Sequence, residues 1–354
     1  MLKGKLNFAF KTFFMMASIL TLGFCFSYSK DIVISRDFVL FTSKNLEGYI
    51  KPIFTTFEQS LNTTLFGTSL PDGKFCFILN LSVSGMIIPD AQKTFDAEVP
   101  DGFFNDSVTQ VAQIRNGEVR RSVVKPNIQP TIYGRSSTPI FSAPQSHTYP
   151  DSIYKTIAYP EGLHIDFMAG LPVLQAIVET PLKNEIRFRF FSLPIQDETF
   201  VYLTIGLNQR VDDWFNLFGF DKNKAISVHF ALHRMYYGNS FDLTSYAIGI
   251  NAMQRWGNTL IGYVGLQYED FGGKFRAVKD TTGLKENVIN SPFPELRQAK
   301  PIEISFNSYT KFQAKGGFTL TFYIGFLNFE LSYASQPMIS LGFGLFIGTK
   351  KNEN

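Results

Sequence analysis

The sequence predicts an all-β protein: a transmembrane antiparallel β-barrel of about 12–14 strands, preceded by an N-terminal helical plug or periplasmic segment. Three observations predict this class. Apolar and polar residues alternate over most of the chain, the first residues have the composition of an export signal, and only 18% of the 354 residues are charged. Soluble globular proteins carry about 25% charged residues, so the low fraction favours a surface that faces lipid.

Period-two alternation is the strongest of these signals. Ile226, Val228 and Phe230, for example, alternate with Ser227 and His229. Successive side chains of a strand point to opposite faces, so such a segment has one apolar and one polar face. The same alternation recurs in residues 75–86, 185–191, 199–208, 244–254, 260–269, 318–324, 328–333 and 341–348. Segments of about ten residues are typical of transmembrane barrels, whereas a secreted sandwich, the alternative, has strands of about five or six.

The connections between these segments predict the size of the barrel. Three short segments are predicted to form tight turns: residues 255–258, 325–327 and 335–337. Residues 212–215 are predicted to form a short periplasmic helix with Trp214 at the membrane interface. Of two long irregular stretches, 270–309 is predicted to lie outside the cell and 87–160 to supply a strand near 131–134. With both barrel ends periplasmic the count is 12–14 strands, and so wide a lumen is either open or plugged.

The first 29 residues have the pattern of a secretory signal peptide. Lys3, Lys5 and Lys11 precede an apolar run, and small residues follow at Ser27 and Ser29. The run is shorter than the roughly 20 residues that span a bilayer, which favours cleavage over a membrane anchor. The predicted organisation is a signal peptide (1–29), a helical plug or periplasmic segment (30–70), the barrel (71–348) and a C-terminal tail (349–354).

An apolar helix is predicted ahead of the first strand, within residues 43–66. Its apolar stripe has spacings of three and four and consists of Leu46, Ile50, Phe54, Phe57 and Leu61. Pro52 is expected to kink or restart the helix. The helix could thread the lumen as a plug; a peripheral helix at the periplasmic membrane surface is the alternative.

Polar residues on the inward faces of the strands are the candidates for lining the lumen: Glu185, Arg187, Arg189, Ser227, His229, His233, Glu269 and Glu330. Charges inside a lumen tune selectivity, whereas on the lipid face they cost about 2–4 kcal/mol at the midplane. These charges could form a constriction or a network of cross-strand salt bridges, and the network is favoured.

The sequence gives little support for an enzyme. His229 and His233 share a face, but four residues at about 3.3 Å each separate them by about 13 Å, too far for one metal ion. Ser227 and His229 could serve an outer-membrane hydrolase, yet no Gly-x-Ser-x-Gly elbow is present. No catalytic residue, metal site or cofactor is therefore predicted, and the hydrolase is the least favoured alternative.

Five short motifs carry a resemblance to a known family: residues 46–52, 60–62, 88–90, 130–134 and 170–172. With them the chain resembles an uncharacterised family of Gram-negative outer-membrane β-barrel proteins, known as a domain of unknown function. A plug helix followed by a barrel also resembles, in architecture, the FadL-type transporters of hydrophobic compounds. The resemblance implies an outer-membrane location, and it carries over no catalytic or ligand-binding residue.

The expected function is a passive outer-membrane channel or transporter for small solutes, hydrophobic ones among them. A structural or surface-binding barrel without transport is the alternative. Membrane lipid, a small hydrophobic solute and the barrel-assembly machinery are the expected partners. Nucleic acid is not, because the net charge of +3 resides in the three lysines of residues 1–29, without which the chain has 30 basic and 30 acidic residues.

Overall fold

The computed structural model describes residues 32–34, 42–67, 73–98, 104–105, 111–115, 118–122, 127–135, 140–142, 156–170, 172–195, 198–215, 221, 223–279 and 301–347. The signal peptide and the C-terminal tail predicted from the sequence lie outside these residues.

Ten antiparallel strands form a closed barrel. They are β1 (Cys76–Ile87), β2 (Val173–Glu179), β3 (Asn184–Ile195), β4 (Glu198–Arg210), β5 (Lys224–Tyr237), β6 (Phe241–Trp256), β7 (Leu260–Lys279), β8 (Phe312–Thr321), β9 (Gly325–Tyr333) and β10 (Pro337–Ile347). Each strand pairs with the next, and β10 pairs with β1 from Phe77 opposite Ile347 to Met86 opposite Met338. The all-β barrel is confirmed, but the prediction of 12–14 strands is too high.

Two further short strands add no strand to the barrel, because each lies on the same edge of its neighbour as the strand that follows it in the chain, β2 or β8. Phe167–Ala169 pairs with β1, and Ile302–Asn307 pairs with the end of β7. Residues 270–279 belong to β7, so the prediction of an irregular stretch from 270 to 309 is wrong at both of its ends. The strand predicted near 131–134 is a turn that follows the short strand Ile128–Pro130.

The remaining short strands pair among themselves or with β7. Thr94–Asp96, after the 3₁₀ turn Asp90–Gln92, pairs with Ile128–Pro130. Ile140–Ser142 pairs with Phe104–Asn105 and with Thr156–Ala158, Val111–Arg115 pairs with Glu118–Ser122, and Ile32–Ile34 runs parallel to the end of β7.

One predicted turn is displaced. Residues 325–327 are the first residues of β9, and the turn is formed by residues 322–324. Phe322, Tyr323 and Ile324 are apolar and exposed, so they continued the alternating pattern although they no longer belong to a strand.

The wall of the barrel has an apolar outside and a polar inside. On β5, Val228, Phe230 and Leu232 are 40–46% exposed, while His229 and His233 are at most 1% exposed. This arrangement inverts that of a soluble globular protein, in which charged and polar residues are mostly exposed.

Two helices lie among the described residues, α1 (Ser43–Ser60) and α2 (Asp212–Phe215). The side chain of Thr42 caps α1 by accepting a hydrogen bond from the amide of Asn45. The helix runs through Pro52 as one element, so it does not restart there, and it ends at Ser60 instead of continuing to residue 66. The predicted short helix at 212–215 is confirmed. Neither helix is both long and apolar enough to cross a membrane.

The two ends of the barrel differ, and we call them the near and the far mouth. The near mouth holds the start of β1, the end of β10 and the connections 180–183, 211–223, 257–259 and 322–324. The far mouth holds the long connections 88–172 and 280–311, together with 196–197, 238–240 and 334–336. Helix α1 packs at the far mouth, so the chain must pass through the barrel before β1 can begin at the near mouth.

Candidate functional site: a plugged barrel interior

Residues 61–67, which we call the interior segment, follow α1 into the barrel. Their backbone carbonyls accept hydrogen bonds from two arginines of β3. Arg189 donates to the oxygens of Leu61 (2.9 Å) and Thr63 (2.8 Å), and Arg187 donates to the oxygen of Leu65. A guanidinium group carries five hydrogen-bond donors in a fixed geometry. The two arginines can therefore donate to several carbonyl groups of a segment that pairs with no strand.

A carboxylate of the opposite wall holds the turn in this segment. Glu330 accepts hydrogen bonds from the amide of Thr64 (2.8 Å) and from the hydroxyl of Tyr263 (2.9 Å). Thr64 has a φ of 52°, which is a genuine outlier for a β-branched residue. Gly67 follows with a φ of 98°, and a Cβ at that position would lie 2.6 Å from the ring of Tyr263. The wall therefore fixes the interior segment in an uncommon backbone conformation.

Phe66 fills the centre of the barrel. Its ring stacks on His229 with 4.2 Å between centroids, and the charged groups of Arg187 and Lys315 lie 5.3 and 5.5 Å from its centroid. The absence of a side chain at Gly206 leaves room for the ring, since a Cβ there would lie 3.1 Å from Phe66. Eight strands enclose a space that side chains alone can fill; in this ten-stranded barrel, backbone and side chains of the interior segment occupy the additional space.

The two histidines of β5 are hydrogen-bonded separately. His233 Nε2 lies 2.9 Å from the side-chain oxygen of Asn62, and His229 lies within 3.3 Å of polar atoms of Asn251 and Gln267. Among the described residues the hydroxyl of Ser227 has no hydrogen-bond partner, so it is not joined to His229 as a nucleophile to its base. The described residues also contain no cluster of three or more acidic, histidine or cysteine side chains that could hold a metal ion.

Apolar contacts hold α1 at the far mouth. Phe54 stacks on Phe306 with 3.7 Å between ring centroids, and the rings of Phe241 and Phe275 lie at 5.7 and 6.4 Å. Aromatic pairs of this kind contribute about 0.5–1.5 kcal/mol beyond the burial of their area. The helix is thereby attached to β6, to β7 and to the strand Ile302–Asn307.

Polar contacts at the end of α1 tie the helix to two connections of the far mouth. Glu58 accepts hydrogen bonds from the hydroxyl of Ser308 and the amide of Tyr309, and Gln59 donates to Ser335. Burial raises the pKa of Glu58; the hydrogen bonds from residues 308–310 oppose this rise, and the charge of Asp270 adds to it.

A cavity of about 300 Å³ lies between α1, the interior segment and the wall formed by β1–β5. Most of its lining is apolar, contributed by Phe57, Met86, Met168, Val173, Phe191, Phe200 and Met235. Thr63, Ser82 and Arg189 also line it. Ligand pockets are usually apolar cavities of about 300–1,000 Å³ with a few polar groups, and this cavity fits the lower end of that range.

All eight lumen candidates from the sequence are buried, with at most 2% exposure: Glu185, Arg187, Arg189, Ser227, His229, His233, Glu269 and Glu330. Glu185 and Arg187 form an ion pair of 2.6 Å within one strand, and Glu269 accepts a hydrogen bond from Gln267. Arg187, Arg189 and Glu330 contact the interior segment directly. These three residues therefore hold the plug in this structure. Neither of the two roles predicted from the sequence, a constriction or a network of cross-strand salt bridges, included this one.

The apolar stripe of the predicted plug helix packs within one buried apolar cluster. Leu46, Phe54 and Leu61 are buried, and Ile50 and Phe57 are partly buried against the same apolar cluster.

The sequence did not indicate the residues of the interior segment that the barrel wall contacts: Asn62, Thr63, Thr64, Phe66 and Gly67. Their neighbours Tyr263, Gln313 and Lys315 were also missed. For Gln313 and Lys315 a signal was available, because their alternation with Phe312 and Ala314 extends β8 six residues ahead of the predicted strand start at 318. No sequence signal distinguishes the interior segment from an ordinary linker.

The geometry defines a class of protein: a closed ten-stranded β-barrel that is plugged by the chain segment preceding its own first strand. Within that class the chain belongs to a family of unknown function (DUF6588), whose match covers residues 9–347. No curated protein matches the chain. The predicted resemblance to a family of unknown function is thus confirmed, while the FadL-type resemblance stays a prediction.

Proposed function

We propose that this protein is an outer-membrane β-barrel that conducts small, largely apolar solutes passively through a lumen that its own N-terminal segment closes. One observation carries the proposal. The interior segment is held by hydrogen bonds to side chains of the wall, and it pairs with no strand. Contacts of that kind can be exchanged for water when the segment moves, so a plug held in this way is removable.

The outer surface supports the membrane location. On β6, Tyr246 and Trp256 are exposed and point outward, with Ile248 and Ile250 between them. The ten residue steps from Tyr246 to Trp256 span about 33 Å along a strand, or about 25 Å along the axis of a barrel whose strands tilt by about 40°. Transmembrane barrels have an apolar band about 25 Å tall between two aromatic girdles.

Exposed aromatic side chains extend both girdles around the barrel. Toward the far mouth they are Tyr236, Tyr246, Phe312 and Tyr333, and toward the near mouth Trp214, Trp256, Phe322 and Tyr323. Such a surface requires lipid as its partner, and it requires the export signal and the barrel-assembly machinery for insertion, which we propose as well.

The cavity beside the plug supports a small, largely apolar solute. It faces the lumen next to Arg189, the residue that holds the interior segment, so a solute in the cavity would contact the plug itself. Its volume of about 300 Å³ suits a molecule of the size of one or two aromatic rings.

Uptake of the apolar dye N-phenyl-1-naphthylamine by cells tests this function. Ser82 lines the cavity from β1 and is buried, so Ser82→Phe should fill the cavity and lower uptake, whereas the matched control Ser82→Ala should leave it unchanged. Conductance of purified protein in planar bilayers should be low and should rise when residues 43–66 are deleted. Equal uptake by both Ser82 variants, together with no conductance after the deletion, would refute transport.

A closed structural or surface-binding barrel is the second candidate, and the packing around Phe66 favours it. This candidate predicts no dye uptake above that of cells lacking the protein and no conductance while the plug is in place. The same experiments therefore decide between the two.

A further inference from the structure

We infer that the plug is inserted from the outside: its free, N-terminal end leaves the barrel at the far mouth, and this mouth faces the cell exterior. The inference rests on the proposed outer-membrane location. It goes beyond that proposal by assigning residues 32–34 and 42–60 to the cell surface and by fixing the side toward which α1 can be released.

The contacts of the interior segment follow one direction through the barrel. Leu61 lies at Arg189, Leu65 at Arg187, and Gly67 at Tyr263, which is close to the start of β7 at the near mouth. Gly73 then lies against Pro181 and Lys183 in the near-mouth turn between β2 and β3. The chain thus descends from the far mouth to the near mouth as the residue number rises.

The part of the plug that precedes this descent is attached at the far mouth by independent contacts. Asn45 donates hydrogen bonds to the oxygen of Glu98 and the hydroxyl of Tyr159, both in the long connection between β1 and β2. The strand Ile32–Ile34 runs parallel to β7 and pairs with residues 277–279, at the end of β7 that lies at the far mouth. None of these contacts involves the near mouth.

The connections identify the far mouth as the outer one. Transmembrane barrels have short periplasmic turns and longer extracellular loops. Three of the four near-mouth connections have three or four residues, and both barrel ends lie there, whereas the connections 88–172 and 280–311 belong to the far mouth.

This threading restricts how the plug can leave. An α-helix with its side chains is about 10–12 Å wide, so movement toward the periplasm would force α1 past the level of Arg187, Phe66 and Tyr263. Movement of α1 toward the exterior meets no such obstacle, while the interior segment, which leads to β1 at the near mouth, still runs through the lumen. The exterior is therefore the side toward which α1 can be displaced.

Cysteine labelling of intact cells with a membrane-impermeant maleimide tests the inference. Lys44 in α1 is exposed and should label after Lys44→Cys. Asn239, exposed at the far mouth, serves as the external control, and Leu182, exposed in a near-mouth turn, as the internal control. The buried thiol of Cys76, 1% exposed, gives the background. We expect labelling at 44 and 239 to exceed that at 182 by at least tenfold, and all three to label equally after cell lysis.

Each other outcome refutes a different statement. Labelling at 239 but not at 44 would overturn the threading while leaving the membrane barrel intact. Labelling at 182 but not at 239 would overturn the assignment of the far mouth to the exterior. Equal labelling of all three positions in intact cells would refute the membrane location on which the inference rests.

Discussion

The two parts of the plug are held in opposite ways. Helix α1 is attached by apolar aromatic contacts, with Phe54 among Phe241, Phe275 and Phe306. The interior segment is attached by hydrogen bonds from Arg187 and Arg189 and to Glu330. Both parts are buried; the first buries hydrocarbon, whereas the second buries backbone polar groups together with the side chains of Leu65 and Phe66.

The difference determines which part can move. Exposing the aromatic rings of α1 to water costs the whole hydrophobic stabilisation of their area. Replacing one hydrogen bond of the interior segment by a hydrogen bond to water costs less, because the net contribution of a hydrogen bond to a charged group is about 1.5–3 kcal/mol. We therefore expect α1 to act as the anchor and the interior segment to be the part that yields.

Phe54→Ala should destabilise the docking of α1 more than any other change considered below, since it removes the central ring of the anchor. Truncation of a buried phenylalanine typically costs about 3–5 kcal/mol. We expect protease cleavage within α1 in detergent to accelerate strongly, while the barrel keeps its heat-modifiable mobility on gels. The control Lys44→Ala removes an exposed ion pair and should cost about 0–1 kcal/mol. If α1 is cleaved by protease as slowly in Phe54→Ala as in the control, the helix is not the anchor.

Arg189→Met should release the interior segment without releasing α1. It removes the charged donors to the carbonyls of Leu61 and Thr63, which keep only the hydroxyl donors of Tyr202 and Thr64. Hydrogen bonds to charged groups contribute about 1.5–3 kcal/mol. Conductance in planar bilayers should rise although α1 stays protected from protease. Arg210→Met is the matched control, because this buried arginine pairs with Asp212 at the near mouth and not with the plug. The barrel of this variant should stay closed.

Gly67→Ala should have a smaller effect on the same segment. A left-handed conformation costs about 1–2 kcal/mol for residues with a Cβ, and the added methyl group would meet the ring of Tyr263. We expect brief, infrequent openings in single-channel recordings. The double variant Gly67→Ala with Tyr263→Leu should restore part of the closure if the clash matters and none of it if backbone strain alone is responsible.

The smallest expected effect is a pH dependence at the junction of the two parts. Because the pKa of Glu58 is raised in the folded protein, its carboxyl holds a proton more readily there than in the unfolded chain. Docking of α1 should therefore be most stable below the ordinary glutamate pKa of about 4.3 and should weaken as the pH rises through the raised pKa. Glu58→Gln should flatten the pH profile of α1 protection; an identical profile in both proteins would exclude Glu58 as the cause.

The alternation in the sequence was sufficient for the fold class and for the inward set of residues. Arg187, His229 and Glu330 were assigned to the interior because side-chain direction in a strand depends only on parity. The same rule failed for residues 322–324, because a turn made of exposed aromatic and aliphatic residues has the same composition as the outward face of a strand of this barrel.

The sequence by itself determined an alternating barrel wall and an apolar helix ahead of it. Only the tertiary structure decided that ten strands close the barrel, since closure depends on the pairing of β1 with β10, which are more than 250 residues apart. It also decided what the interior charges do. A buried charge needs a partner, and for Arg189 and Glu330 that partner is the backbone of residues 61–64, which has no sequence signature because every residue carries the same amide and carbonyl.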